Sequence, residues 1–336
     1  MWEGGLFVEL RIDAEIFRTN VVHGPDQLIL GCASMLGYTN RAKAIRALES
    51  ALRLGIRQFD VARSYGYGQA ERLLGNFFSA NRSSVRITSK YGIAPAVGMR
   101  ANCIRILRGG AGGLRHLEFF PSANTRDPNA KFWSAKSVLE GLEQSLKELR
   151  TDYLDEFLLH SPPVELSKRC ELFQALNDAQ RAGKLTRIGV CTDAKSMMSF
   201  VECVQQAQIS FNLEHASVTS KLRAFPKSIN HIFGGRGGMD RVALRLKEVC
   251  RNHFNSPAHE AIALQAACLD DPSGLNEAMI RVALLGAGAQ AAVISMNDPR
   301  HQALNVAAVT APQLPSQLIK FLTEQLFPPT SGQSTQ

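Results

Sequence analysis

Four side chains in this sequence have the types and positions for proton chemistry on a polar bond: Asp60, Tyr65, Lys90 and His160. Asp60 closes the short run from Arg57, and Tyr65 follows five residues later in a turn that Gly66 and Gly68 make permissive. Lys90 ends the run Val85–Lys90. His160 ends the run Leu154–His160, which Pro162 and Pro163 stop. A free phenol has a pKa of about 10 and donates poorly at neutral pH; a nearby ammonium stabilises the phenolate and lowers that pKa. The expected chemistry is proton transfer to an oxygen of a bound ligand, a carbonyl being the simplest acceptor. Tyr65 is the donor, Lys90 lowers its pKa, Asp60 pairs with Lys90, and His160 hydrogen-bonds the carbonyl and shapes the pocket. Each residue alone admits a plainer role, as a turn cap, a rim aromatic, an exposed strand end or a core histidine. Tyr67 is a rival donor.

These four must be brought together by the elements that carry them. Strands are expected at Leu28–Gly31, Arg57–Asp60, Val85–Lys90, Leu154–His160, Thr186–Val190, Gln208–Asn212, Ile229–Phe233 and Ala291–Ser295. Helical periodicity lies between them: Asn40 to Leu54, Glu71–Ala80, Ser134–Leu149, Leu166–Ala182, Ser196–Ala207, then near 240–253, 258–269 and 275–285, and finally Asp298–Ala308 and Gln313–Leu326. Alternation of this kind predicts a parallel α/β sheet, and eight units closing on themselves give a (β/α)8 TIM barrel. The runs at Leu6–Ile12 and Ala14–Arg18 are expected to pair as an N-terminal β-hairpin. A single barrel domain is expected over 1–327, with a polar tail at 328–336. Asp60, Tyr65, Lys90 and His160 then fall at the C-terminal ends of adjacent strands, where barrel enzymes place catalytic groups. The stretch 91–131 begins on the same face, as a long loop with little periodicity. Gly286-Ala287-Gly288-Ala289 imitates a dinucleotide fingerprint, but it follows a helix and opens a strand, the reverse of that context, and predicts a tight turn.

Composition narrows the class. Of 336 residues, 45% are apolar and 20% charged, enough for a sizeable core, and no apolar run is long enough to cross a membrane. Seven cysteines, an odd number without Cys-x-x-Cys spacing, argue against a zinc site or a disulfide framework and for a reducing, cytoplasmic setting. The N-terminus lacks the pattern of a secretory signal. The net charge of +8 is spread along the chain, which suits a basic enzyme with a phosphorylated ligand better than a nucleic-acid protein.

The stretch Asp60-x-Ala62-x-x-Tyr65-Gly66-x-x-x-Glu71-x-x-x-Gly75 resembles the aldo-keto reductase family. Leu154–Pro162, Gly183–Val190, Gln208–Asn212 and Asp298–Asn305 look like further segments of it, in order, over roughly 28–310. The resemblance implies a nicotinamide dinucleotide, usually NADPH, lying extended on the barrel top, and a hairpin plugging the bottom. It places Gln208 on the nicotinamide carboxamide. It puts Cys191 and Thr192 where the family has Ser-Asn, so both are expected at the cofactor, with Thr192 still able to donate a hydrogen bond. Gly234, Gly235 and Arg236 offer backbone N–H groups and a cation to a pyrophosphate. After the last strand the family's Pro-Lys-Ser reads Ser295-Met296-Asn297, so Arg300 is expected to replace the lysine on the 2′-phosphate, with Asn305 near the adenine. NADP is therefore expected ahead of NAD. No metal, nucleic-acid or membrane partner is expected, only a small carbonyl substrate, to which the arginines of 91–131 and 213–228 suggest an anionic or sugar-like character. Two other readings stay open: the reverse reaction, an NAD(P)-dependent sugar or alcohol dehydrogenase with Tyr65 as base, and a non-catalytic reductase-like subunit.

Overall fold

The computed structural model describes residues 24–95, 131–211, 220–233, 238–253, 269 and 271–327. Eight parallel strands close into a barrel in chain order. They are β1 Leu28–Gly31, β2 Gln58–Asp60, β3 Arg86–Tyr91, β4 Leu154–His160, β5 Leu185–Asp193, β6 Gln206–Ser210, β7 Lys227–Asn230 and β8 Ala291–Ile294. The outer layer comprises α1 Arg41–Arg53, α2 Ala70–Phe78, α3 Ala135–Leu149, α4 Cys170–Arg181, α5 Ala194–Met197, α6 Ser220–Ala224, α7 Gly238–His253, α8 Pro272–Ala287, α9 Pro299–Thr310 and α10 Ser316–Leu326. The barrel expectation is met.

Local chemistry starts these helices. The side chains of Asn40, Ser134, Asp271 and Asp298 accept from backbone N–H groups of the first turns of α1, α3, α8 and α9. Each such cap contributes about 1 kcal/mol. Strand alternation then divides the side chains. Leu30, Phe59, Ile87, Phe157, Val190 and Ile209 face outward and are buried under the helices. The opposite set fills the barrel. Low in the interior, Glu156 accepts from Thr88 Oγ1 at 3.0 Å and Arg187 at 2.5 Å. Above it, Gly189 leaves room for Leu158, because a Cβ there would lie 2.5 Å from the Leu158 side chain. In the uppermost row His160 pairs in register with Cys191, and Cys191 with Gln208.

Three expectations are corrected, the first being the sixth strand, which spans Gln206–Ser210 rather than Gln208–Asn212. No helix runs over Ser196–Ala207: α5 is a single turn capped by Asp193, and β6 already begins at Gln206. Met197, Phe200 and Val204 have helical spacing and are buried, but successive tight turns bury them, with Phe200 N donating to Met197 O and Cys203 N to Phe200 O. The seventh strand spans Lys227–Asn230 rather than Ile229–Phe233. It stops because His231 takes a left-handed φ of 59°. The turn expected at Gly286–Ala289 is confined to its second half: α8 runs through Gly286 and Ala287, Gly288 caps it with a φ of 60°, and β8 follows. The proposed hairpin, most of 91–131, all but Leu269 of the 258–269 helix and the tail from Pro328 lie outside the described residues. No helix among the described residues is long and apolar enough to cross a membrane.

Candidate active site

The turn after β2 sets the position of Tyr65. Gly66, Tyr67 and Gly68 all have left-handed φ, at 57°, 56° and 81°. A Cβ on Gly66 would lie 2.8 Å from Met35 O, so the close approach of the β1 loop requires glycine there. This reversal brings Tyr65 back over the strand ends. Lys90, 1% exposed on β3, then finds three acceptors: Asp60 Oδ1 at 2.5 Å, Val61 O at 3.3 Å and the Tyr65 hydroxyl oxygen at 3.4 Å. Because Lys90 donates to that oxygen, the phenolic hydrogen is left to point elsewhere. The rings of Tyr65 and His160 meet edge-on, with centroids 6.4 Å apart. The four residues expected to converge do so.

The electrostatics differ from the sequence expectation in one respect. Burial works against charge on Lys90, but Asp60, Tyr65 and Cys191 together hold its pKa above the ordinary lysine value. For Tyr65, burial is the largest effect and raises the phenol above its usual value; Lys90 opposes it and Asp60 reinforces it. Lys90 therefore moderates the pKa of Tyr65 without bringing it below that of a free phenol. His160 is pushed down to about 3, by burial first and then by the charges of Lys90 and His231. It is a neutral imidazole, with one N–H donor and one acceptor, and its Nδ1 is buried without a partner among the described residues.

Gln208 is held by contacts within the barrel. Its Nε2 donates to Asp60 Oδ2 at 2.7 Å, and its Oε1 accepts from Cys191 Sγ at 3.1 Å and Asn230 Nδ2 at 3.3 Å. Thr192, next on β5, is half-buried, and Ser295 is exposed just beyond β8. Arg300 lies in the first turn of α9, 86% exposed, with its guanidinium on Asp298. Asn305 is turned inward, 4% exposed, and its Oδ1 accepts from Asn276 at 2.9 Å. It is packed between α8 and α9. Gly234, Gly235 and Arg236 lie outside the described residues.

Sequence reasoning missed Asn230 and His231. His231 Nδ1 pairs with Ser210 Oγ at 3.0 Å, and its pKa is lowered by burial and by Lys90. Placing β7 two residues too late hid both behind a strand interior. The paired Gln206-x-Gln208-x-Ser210 and Ser228-x-Asn230 alternations were the available signal.

Residues 27–228 match the Aldo/keto reductase family. The chain belongs to that family. An aldo-keto reductase of Bacillus subtilis is 28% identical over 161 residues, 47% of this chain and 39% of that protein. The L-glyceraldehyde 3-phosphate reductase of Escherichia coli K12 is 29% identical over 213 residues, 60% of this chain and 52% of its own. The chain thus spans about half the length, or less, of these curated relatives. Among solved structures, an aldo/keto reductase from Klebsiella pneumoniae in complex with NADP and acetate superposes with a TM-score of 0.57 at 20% identity, covering 91% of this chain and 93% of that one. At that identity the likeness establishes the fold.

Proposed function

We propose that this chain is an NADPH-dependent carbonyl reductase whose proton donor is Tyr65. The observation that carries the reading is the line from Asp60 through Lys90 to the Tyr65 hydroxyl, two contacts of 2.5 and 3.4 Å, at the mouth of the barrel. The residues present fit a nicotinamide dinucleotide. His160 Nδ1 and Asn230 Oδ1 are buried polar atoms without partners among the described residues, at the ends of β4 and β7, and such atoms call for a polar ligand. Thr192, Asn230 and Ser295 would flank the nicotinamide half. Arg300, with Gly234, Gly235 and Arg236, would meet the phosphates. The complex of NADP with the Klebsiella relative supports the choice of cofactor. When bound, the reduced nicotinamide supplies a hydride to the carbonyl carbon.

The chain's own residues do the rest. His160 donates a hydrogen bond to the carbonyl oxygen and orients it toward Tyr65. Tyr65 passes its phenolic proton to that oxygen as negative charge develops there. Lys90, already donating to the phenol oxygen, stabilises the phenolate left behind, and Asp60 keeps Lys90 charged and in place. Burial keeps Tyr65 protonated at rest, the form that can donate. The complete set of four residues supports catalysis over a purely binding role.

The test is titration with NADPH and NADH, followed by intrinsic fluorescence, and then turnover of a carbonyl panel by wild type and Tyr65→Phe. Trp133, fully buried against Gly92 and the end of β4, is placed to report binding. Binding of NADPH with turnover lost in Tyr65→Phe is expected. Binding of neither nucleotide would remove the cofactor, and with it this reading.

A further inference from the structure

The Asp60–Lys90 pair is almost wholly out of water, at 3% and 1% exposure. A buried ion pair is tolerable only when the remaining lone pairs of its carboxylate are also satisfied. Lys90 takes Asp60 Oδ1. The other oxygen, Oδ2, is met by Gln208, from a strand on the far side of the barrel and 148 residues away in sequence. The groups that face Asp60 electrostatically are Lys90, Tyr65, Cys32, Cys191, Glu156 and His231. Gln208 adds a neutral amide donor to this set, so it satisfies the carboxylate without adding charge.

The amide has one sensible orientation. Asp60 Oδ2 needs a donor, while Asn230 Nδ2 needs an acceptor, so Nε2 must face Asp60 and Oε1 must face Asn230 and Cys191. Burial pushes the Cys191 thiol up to about 12, so it stays protonated and donates. The chain of contacts runs from β5 and β7 through Gln208 on β6 to Asp60 on β2 and Lys90 on β3.

We propose that Gln208 is a positioning residue for proton transfer: it fixes the second oxygen of Asp60, which fixes Lys90 under the Tyr65 hydroxyl. This rests on the carbonyl-reductase reading for its kinetic consequence, but not for its structural one.

Two variants of the full chain test this, Gln208→Met and Gln208→Glu, with NADPH and para-nitrobenzaldehyde as the probe pair. Met keeps the length but loses the donor. At saturating NADPH it is expected to lower kcat by about 5- to 150-fold, the range for leaving a buried polar partner unmet. Glu sets a second carboxylate against Asp60 at neutral pH. Once protonated in acid it regains an O–H donor, so its activity relative to wild type is expected to recover as pH falls. A readout without cofactor separates this inference from the function itself. In ¹⁵N-lysine-labelled protein, with the Lys90 signal assigned through Lys90→Met, the ammonium is expected to titrate at lower pH in Gln208→Met than in wild type. That shift in a protein that reduces no carbonyl would sink the function but keep the positioning role. An unmoved Lys90 signal, or a raised NADPH Kd with kcat intact, would overturn the positioning role.

Discussion

The rings of Tyr65 and His160 stand at 87° to one another with centroids 6.4 Å apart, which puts a neutral imidazole edge beside the proton donor. Because the pKa of His160 lies near 3 in the folded chain against about 6.5 unfolded, folding excludes its proton. Its stabilising contribution is fully present above about pH 6.5 and is lost as pH falls from there toward the folded value. The melting temperature is therefore expected to drop below about pH 6.5, and His160→Gln should flatten that decline. The His160 ring protons should show no titration by NMR between roughly pH 5 and 8. A His160 inflection near neutrality would contradict the neutral-imidazole role.

Tyr65 and Lys90 make the opposite prediction at high pH. Both folded pKa values lie above the ordinary ones, so both groups hold protons in the native state that the unfolded chain gives up. Their contribution is complete below about pH 10 and is lost as pH rises. Urea midpoints for wild type should fall above that point, and those of Tyr65→Phe should fall less. In turnover, Tyr65→Phe is expected to reduce kcat by about 10²- to 10⁴-fold without weakening NADPH, since the phenol acts in proton transfer. Lys90→Met should also cost stability, about 3–5 kcal/mol, by stranding the buried Asp60 carboxylate; the double variant Asp60→Asn/Lys90→Met should recover part of it.

Much of this was legible because the responsible signals are local. Leu154–His160 is a strand with the bounds its apolar run predicts, and the alternation of such runs with helices was enough for a barrel. The convergence of Asp60, Lys90 and His160 followed from strand ends, and that of Tyr65 from the glycine-permitted turn after the second strand. What stayed hidden depends on distance through space. Nothing near Gln208 in sequence announces that its amide belongs to Asp60. The net direction of the Tyr65 pKa shift depends on burial, which no motif spells out. The 196–207 stretch failed for a related reason: turns and a helix can bury the same apolar spacing.

Gly75, the last residue of the Asp60-to-Gly75 motif, makes a packing prediction. A Cβ there would sit 2.5 Å from Glu148 O and 2.7 Å from Leu149 Cα, so α2 and α3 approach with backbone against side-chain-free backbone. Backbone cannot swing aside as a flexible side chain does. Gly75→Ala is expected to cost about 1–3 kcal/mol by overpacking, despite alanine's better helix propensity. Chemical denaturation of the variant decides it; unchanged stability would mean that the helices separate without penalty.

Arg300 and Asp298 set up the last prediction. The guanidinium makes a two-point contact with Asp298, Nη2 to Oδ2 at 2.7 Å and Nε to Oδ1 at 3.2 Å, and Asp298 also caps α9 through Arg300 N. If Arg300 receives the 2′-phosphate, that phosphate must compete with Asp298 for the same cation. Arg300→Ala should then weaken NADPH by about 3- to 10-fold, a modest loss because exposed charges are screened, and leave NADH unchanged. Asp298→Asn keeps a side chain able to cap the helix but removes the competing charge. It should tighten NADPH by about 2- to 5-fold, with the gain shrinking as salt is added. Direct titration of both nucleotides against wild type and the two variants measures this. Parallel shifts for NADPH and NADH would show that Arg300 does not read the phosphate, and would move that role elsewhere on the barrel face.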